Sequence, residues 1–238
     1  MGNRFFIMML LSVLALGAYL GMRREIVEAP DMSVSPAWEP TQVQTSFPPV
    51  LCEGTPRPVP KLPLPIDPMP TAEPIAHAQR GYRNLAAGKH VTSSDQPIVG
   101  SLPFITDGVK NVGEGYVVEL AEGPQWVQID LARDSRIDLI WIWHRSGMDL
   151  MVFNDVIIEI SNDPEFKQGV RQVFNNDYDK SSGRGLGKDL PYMESRYGKP
   201  IQVGGLHGRY VRCYSNGCSW NQMNSYTEIE VFGTAAVN

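Results

Sequence analysis

The stretch "GPQWVQIDLARDSRIDLIWIWH", Gly123 to His144, decides the fold. Its first half alternates strictly: Val127, Ile129 and Leu131 point one way and more polar residues point the other, as in a strand with one buried face. Its second half is apolar on almost both faces, with Ile137, Leu139, Trp141 and Trp143 on one and Asp138, Ile140, Ile142 and His144 on the other. A strand of this kind lies centrally in a sheet, and its second face is covered by a loop, another chain or a ligand.

The region from Arg80 to Gly233 continues this pattern with short strand-like runs separated by Gly, Asn, Asp and Pro. The runs are YVVEL, WVQIDL, IDLIWIWH, DVIIEIS, RQVFNN, RYVRCYS and TEIEVFG. No segment here keeps a 3.6-residue apolar period over ten residues, so helices are not indicated. Many short strands between turns predict an all-β, antiparallel sandwich over residues 80–238.

Charge and motif content exclude several classes of protein. The 238 residues carry a formal net charge of −5, and no run of Lys or Arg exceeds two residues, so a nucleic-acid partner is not expected. The chain has no G-x-S-x-G, S-x-x-K or H-E-x-x-H motif, and its loop Ser181–Asp189 lacks the spacing of a phosphate-binding loop. We therefore predict that the protein is not an enzyme. His144 is either a hydrogen-bonding residue at a loop edge or a ligand contact.

The N-terminal segment, residues 1–24, contains the uncharged run Phe5–Met22. That length is at the short end of what spans a bilayer as a helix, and the alternative is a cleaved signal peptide. We favour an uncleaved membrane anchor. Its flanking Arg23 and Arg24, counted by the positive-inside rule, favour a cytoplasmic C-terminus.

Residues 25–79 hold most of the chain's 19 prolines. Because proline fixes φ and removes a hydrogen-bond donor, neither a helix nor a central strand fits, and the segment is expected to be extended. It is either a stiff spacer or a strap ordered along a partner surface. Apolar contacts for a strap would come from Val59, Leu62, Leu64, Ile66 and Met69.

Three cysteines are present, Cys52, Cys213 and Cys218, with no C-x-x-C spacing, so neither a structural zinc site nor a thioredoxin-like motif is indicated. Cys213 and Cys218 flank the turn-like YSNG. They form either a local disulfide or two free thiols.

Five motifs occur in the order typical of one known family. They are NLAAGKHVTSS (84–94), ITDGV (105–109), PQWVQIDL (124–131), GRYVRCYSNG (208–217) and EIEVFG (228–233). In these residues the chain resembles the discoidin family, also called the coagulation-factor type C domain, over nearly two-thirds of its length. It departs from the family pattern at Ala132, where a glycine usually follows "IDL", and at Tyr116, near a position that is usually tryptophan.

The resemblance implies a jelly-roll-like, galactose-binding-like sandwich of about eight strands that is not itself catalytic. Many members carry a structural cation, and the matching carboxylates here are Asp107 and Glu228, which suit Ca²⁺. No other cofactor is expected. The alternative is that Asp107 only caps the turn before Gly108.

The family's loops bind glycans, lipid head groups or proteins. The residues that we expect in such a binding site are His144, Arg145, Tyr178, Tyr192, Tyr197 and Trp220. Since the family usually functions outside the cytoplasm, we expect an extracytoplasmic (periplasmic) domain, against the charge count. Anchor, strap and lone sandwich together favour an accessory subunit that docks onto a larger membrane protein complex. The alternative is a cell-surface glycan-binding protein.

Overall fold

The computed structural model describes residues 37–50, 61–111, 115–147 and 150–235. The predicted anchor, residues 1–24, lies outside them and stays a prediction. Among the described residues, no helix has the length and apolar content needed to cross a bilayer.

The described chain is almost entirely β-structure, with a single short 3₁₀ helix at Leu102–Thr106. The strands are β1 Pro40–Gln42, β2 His77–Gln79, β3 Arg83–Asn84, β4 Val91–Ser93, β5 Val118–Leu120, β6 Gln125–His144, β7 Ile157–Ser161, β8 Arg171–Asn175, β9 Lys199–Ser215 and β10 Asn224–Ala235. The main sheet runs β3-β10-β6-β9-β7-β8, with β4 also on β6 and β5 also on β10, while β1 and β2 form a separate pair. Every strand pairing is antiparallel, which confirms the predicted sandwich.

Strand β6 carries both layers of the sandwich. Its first half pairs with β4 and the end of β9, and its second half pairs with β10 and the start of β9. We expected two strands joined by a polar link; the structure has one 20-residue strand that bends at the link. The register shifts between Asp130 and Ser135, and Ala132 takes a φ of 73°, a left-handed conformation that favours glycine.

The residues of β6 are not distributed between its two faces as strict alternation predicts. Ile137 joins the main core with Ile140 and Ile142, whereas we placed it on the face of Leu139. A register shift between Ile137 and Leu139 is the reason, because it turns the chain by one residue. The residue between them, Asp138, is fully buried, and its carboxylate accepts bonds from the Gln79 amide and the Arg136 guanidinium, both at 3.0 Å.

The outward apolar face of β6 is covered by the chain's own proline-rich region. We call the described residues 38–50 and 61–79 the covering segment. A second core forms between it and the sheet, from Val43, Phe47, Ala76, Ala78, Tyr82, Leu139, Trp141, Trp143 and Phe232. Its side chains alternate, with Val43, Thr45 and Phe47 turned inward. Of the three possible covers for a doubly apolar strand, the structure shows a segment of the same chain.

Further along, the covering segment is fixed to residues 191–199. The Asp67 amide donates to the Pro191 carbonyl (2.7 Å), and the Met193 amide donates to the Asp67 carbonyl (3.2 Å). The Asp67 carboxylate lies 2.6 Å from Lys199 Nζ. The described parts of the proline-rich region therefore lie on their own domain, which is neither the free spacer nor the partner-bound strap that we expected.

Candidate functional site

His144 is not exposed at a loop edge. It is the last residue of β6 and fully buried, with Nδ1 2.6 Å from Glu194 Oε1 and 3.4 Å from the Tyr192 hydroxyl. Its ring stacks on Phe153 with centroids 4.4 Å apart. Tyr192 is buried as well, and burial raises its pKa well above the ordinary value. The segment around Glu194 closes over this strand end, so the prediction of His144 and Tyr192 as surface binding residues is wrong.

Tyr197 holds the covering segment rather than an external partner. Its ring meets Phe47 edge to face, with centroids 5.2 Å apart, and its carbonyl accepts a 2.7 Å bond from the Trp141 indole. Its neighbour Arg196 donates to the Pro48 carbonyl at 2.8 Å. The aromatic anchor predicted here exists, but its partner belongs to the same chain.

Arg145 and Trp220, far apart in sequence, do come together. The Arg145 guanidinium carbon lies 5.9 Å from the centre of the Trp220 ring, which is 50% exposed. A guanidinium nitrogen of Arg145 also lies 3.8 Å from Glu119 Oε2, which accepts a 3.0 Å bond from Ser225 Oγ. Sequence reasoning missed Glu119, because one acidic residue on the exposed side of a strand carries no signal.

Two exposed aliphatic residues pair with Glu119 through their backbone. Val99 pairs with Glu119 in a β-bridge, and the Ile98 amide donates to the Glu119 carbonyl at 2.8 Å. Ile98 is 60% exposed and Val99 45% exposed. We define the end patch as Ile98, Val99, Glu119, Arg145 and Trp220.

The loop that carries Trp220 is anchored at its base by Asn224. The Asn224 amide nitrogen donates to the carbonyls of Ala121 (2.7 Å) and Gly123 (2.9 Å), and its oxygen accepts from Gly217 (2.9 Å). Asn224 is fully buried, so these bonds are shielded from water. The end patch therefore combines an aromatic ring, on a loop held in place by Asn224, with an ion pair between Arg145 and Glu119.

The predicted cation ligands meet at one turn. Glu228 is fully buried; its Oε2 accepts the Gly108 amide at 3.1 Å and its Oε1 has no partner in the described chain. Burial, with the charges of Glu230 and Asp107 nearby, raises the pKa of Glu228 to about 9. Asp107 Oδ1 accepts the Val109 amide at 2.8 Å, so its alternative role as a turn cap is also realised.

A second group of carboxylates, which sequence reasoning did not single out, joins Asp155, just before β7, to Asp177 and Asp179 in the loop after β8. Oxygens of Asp155, Asp177 and Asp179 lie within 4.8 Å of one another. Burial raises the pKa of Asp155, whose Oδ2 accepts from Ser181 Oγ (2.7 Å) and Asn216 Nδ2 (2.8 Å). The same loop carries the half-buried Tyr178, well separated in sequence from the end patch. The hydrogen bond from Ser181 to Asp155 attaches the loop after β8 to the segment before β7.

Cys213 and Cys218 are not joined, so of the two alternatives the structure shows free thiols. Cys213 points into the main core, and burial raises its pKa. The Cys218 sulfur instead accepts the Asn221 amide at 3.4 Å, within the Trp220 loop.

No family model and no curated protein matches the sequence. Among solved structures, similar folds include the CBM32 of AlyQ in complex with 4,5-unsaturated mannuronic acid (20% identity, 60% of this chain, 92% of that one, TM-score 0.44). A fucose-binding module from Streptococcus pneumoniae is also similar (22% identity, 63% and 96% coverage, TM-score 0.46).

A third similar structure is the family 89 glycoside hydrolase from Clostridium perfringens (15% identity, TM-score 0.49), where 64% of this chain matches 15% of that enzyme. At such identities and TM-scores, these likenesses concern the sandwich alone and say nothing of what this chain binds. The discoidin-type sandwich predicted from the five motifs agrees with the observed strand pairing.

Proposed function

We propose that this chain is a non-catalytic binding module whose end patch binds carbohydrate. The observation that carries the proposal is the exposed Trp220 ring beside the Arg145–Glu119 pair. The apolar C–H face of a sugar ring packs on an indole, while its hydroxyls exchange hydrogen bonds with a guanidinium and a carboxylate. His144 is fully buried, so it is not available to act on a bound ligand.

The accessory-subunit hypothesis takes second place. One of its three supports was a strap free to lie along a partner, and the described parts of that region lie on their own sheet instead. What still favours protein docking is the aliphatic part of the end patch, Ile98 and Val99, which a small sugar does not need.

The test is a glycan array followed by calorimetric titration of the best binder. We expect Trp220→Ala to weaken binding at least about tenfold, since exposed tryptophans are common binding hot spots. Leu186→Ala is the matched control, because Leu186 is equally exposed but lies in the loop after β8, and it should bind like the wild type. An array without binders, or a Trp220→Ala variant of unchanged affinity, contradicts the proposal.

We also propose a structural Ca²⁺ held by Asp107 and Glu228. The unpartnered, buried Glu228 Oε1 supports it, because a cation would supply the missing partner and hold the carboxylate ionised. Such an ion would tie the last strand, β10, to the turn at Gly108.

Calorimetry checks this. Millimolar Ca²⁺ should raise the melting temperature of the wild type by several degrees relative to EDTA, because a ligand of the native state stabilises it. Glu228→Gln should remove the response, and Glu165→Gln, an exposed control, should keep it. Equal melting temperatures for the wild type in Ca²⁺ and EDTA would rule the site out.

A further inference from the structure

A cavity of about 780 Å³ is lined in part by Gln96, Pro97, Gly100 and Ser101, the neighbours in sequence of the end-patch residues Ile98 and Val99. Gln96, Gly100 and Ser101 form one wall of it. A second wall comes from residues 88–91, and the lining also includes Asp107. The end patch and the cavity therefore share one loop, residues 96–101.

Both walls are fixed by hydrogen bonds. The Gly88 amide donates to the Thr106 carbonyl (2.8 Å), and Thr106 Oγ1 donates to the Lys89 carbonyl (3.1 Å). The Asp130 amide donates to the His90 carbonyl (3.1 Å). The loop wall is held by its bridge to Glu119. Such a cavity is largely formed before any ligand arrives, so little ordering free energy is spent on binding.

The lining is rich in unused donors. Within the described chain, the side chains of Lys89, His90, Gln96 and Ser101 make no hydrogen bond or ion pair closer than 4.0 Å. The Asp130 carboxylate is bound by the Arg209 guanidinium, with N–O distances of 2.7 and 2.8 Å. This hydrogen bond lowers the pKa of Asp130, and the charge of the nearby His90 contributes to the shift.

The charge of the lining favours an anion. Two of its side chains, Lys89 and His90, can carry positive charge, in a chain whose net charge is −5. Its one carboxylate, Asp107, already accepts the Val109 amide. Charge-assisted hydrogen bonds to carboxylate or sulfate oxygens are about twice as strong as neutral ones, so an anionic group gains most here.

We propose that this cavity binds the anionic substituent, carboxylate or sulfate, of an acidic sugar in the glycan held at the end patch. This inference rests on the proposed function, because a saccharide held at the end patch would reach the cavity by crossing residues 96–101, which belong to both. The cavity then makes acidic glycans bind more tightly than neutral ones, and the end patch supplies the affinity that both kinds share.

The experiment compares three saccharides of equal length by calorimetric titration: an oligogalacturonate, its neutral galactose counterpart and a sulfated galactose oligomer. We expect at least one acidic ligand to bind about tenfold more tightly than the neutral one. The double variant Lys89→Met/His90→Asn should lose that advantage and keep the neutral affinity. Lys188→Met, an exposed lysine in another loop, is the matched control for general charge effects.

Each remaining outcome decides something. Equal affinity for acidic and neutral oligomers overturns the cavity proposal and leaves the proposed function intact. An acidic preference that survives the double variant, or falls equally in Lys188→Met, also overturns it. If no oligosaccharide binds, NMR titration with galacturonate and inorganic sulfate separates the two ideas. Shifts at the Lys89 and His90 amides then support an anion cavity without the proposed function, and unchanged spectra overturn both.

Discussion

His144 shows how a functional-looking residue can belong to the core. Its Nδ1 contacts Glu194, while His144 Nε2 and Glu194 Oε2 are both buried without partners in the described chain. Each such atom costs about 1–3 kcal/mol when it is buried without a partner. The pair therefore closes the strand end at the expense of stability, between the rings of Phe153 and Tyr226.

Replacing one member of this pair should be costly. His144→Leu leaves the buried Glu194 carboxyl group without its histidine partner, and we expect a loss of about 3–5 kcal/mol in the free energy of unfolding. The double variant His144→Leu/Glu194→Met should lose less than the sum of the two single variants. Urea denaturation measures all three, with His77→Leu as the exposed control. Strict additivity would show that the two side chains do not act as a pair.

The same residues show what the sequence alone reveals. It picked out Arg145 and Trp220 separately as loop residues that could bind a partner, because charged and aromatic residues in loops stand out, but it did not predict that the two contact each other. It did not predict that His144 is buried, since what covers it is a segment some fifty residues away that includes Tyr192 and Glu194. Alternation along a strand reports which face a side chain takes, and not what lies on that face.

At the scale of elements, the covering segment is the unexpected feature. It also encloses a charged pair on the outer face of the sheet: Lys110 Nζ lies 2.8 Å from Glu230 and 2.9 Å from Thr45 Oγ1. Lys110 stands 4.7 Å over the Trp143 ring. Thr45, from the covering segment, completes the bonding of a pair that is almost wholly withdrawn from water.

Phe47 should be the main apolar anchor of this segment. Its ring lies 5.6 Å from Trp141 and 5.2 Å from Tyr197, measured between centroids. We expect Phe47→Ala to cost about 1–3 kcal/mol, less than a fully buried phenylalanine because Phe47 is only partly buried. Calorimetric melting checks this, with the exposed Ser46→Ala as control. A variant as stable as the wild type would mean that the segment adds nothing to the fold.

The sequence concealed this element for a physical reason. Prolines remove backbone donors, so we predicted that this region does not form a central strand, and its described residues lie outside the main sheet. Extended chain still alternates its side chains, however, and Val43 and Phe47 pack against the tryptophans from the same side of the chain as Thr45. The sequence did not reveal that the outward face of β6 is covered by a segment of the same chain.

At the scale of the whole molecule, the two proposed binding features lie at one loop. The end patch and the cavity share residues 96–101, whereas the covering segment occupies the outer face of the sheet at β6 and β10. The antiparallel sandwich was predictable, because strand periodicity and turn residues repeat along the whole domain. The anchor at residues 1–24 and the extracytoplasmic location remain predictions.

The stacking of Trp141 on Trp143 has one more consequence. The two indoles lie nearly parallel, 5.5 Å apart and at 10°, with Phe47 against one and Lys110 against the other. Chromophores this close and this well aligned couple their electronic transitions, which gives a distinctive signature in near-ultraviolet circular dichroism. The protein therefore contains an intrinsic optical reporter. We expect its signal to change when the covering segment detaches from the sheet, because Phe47 then leaves Trp141.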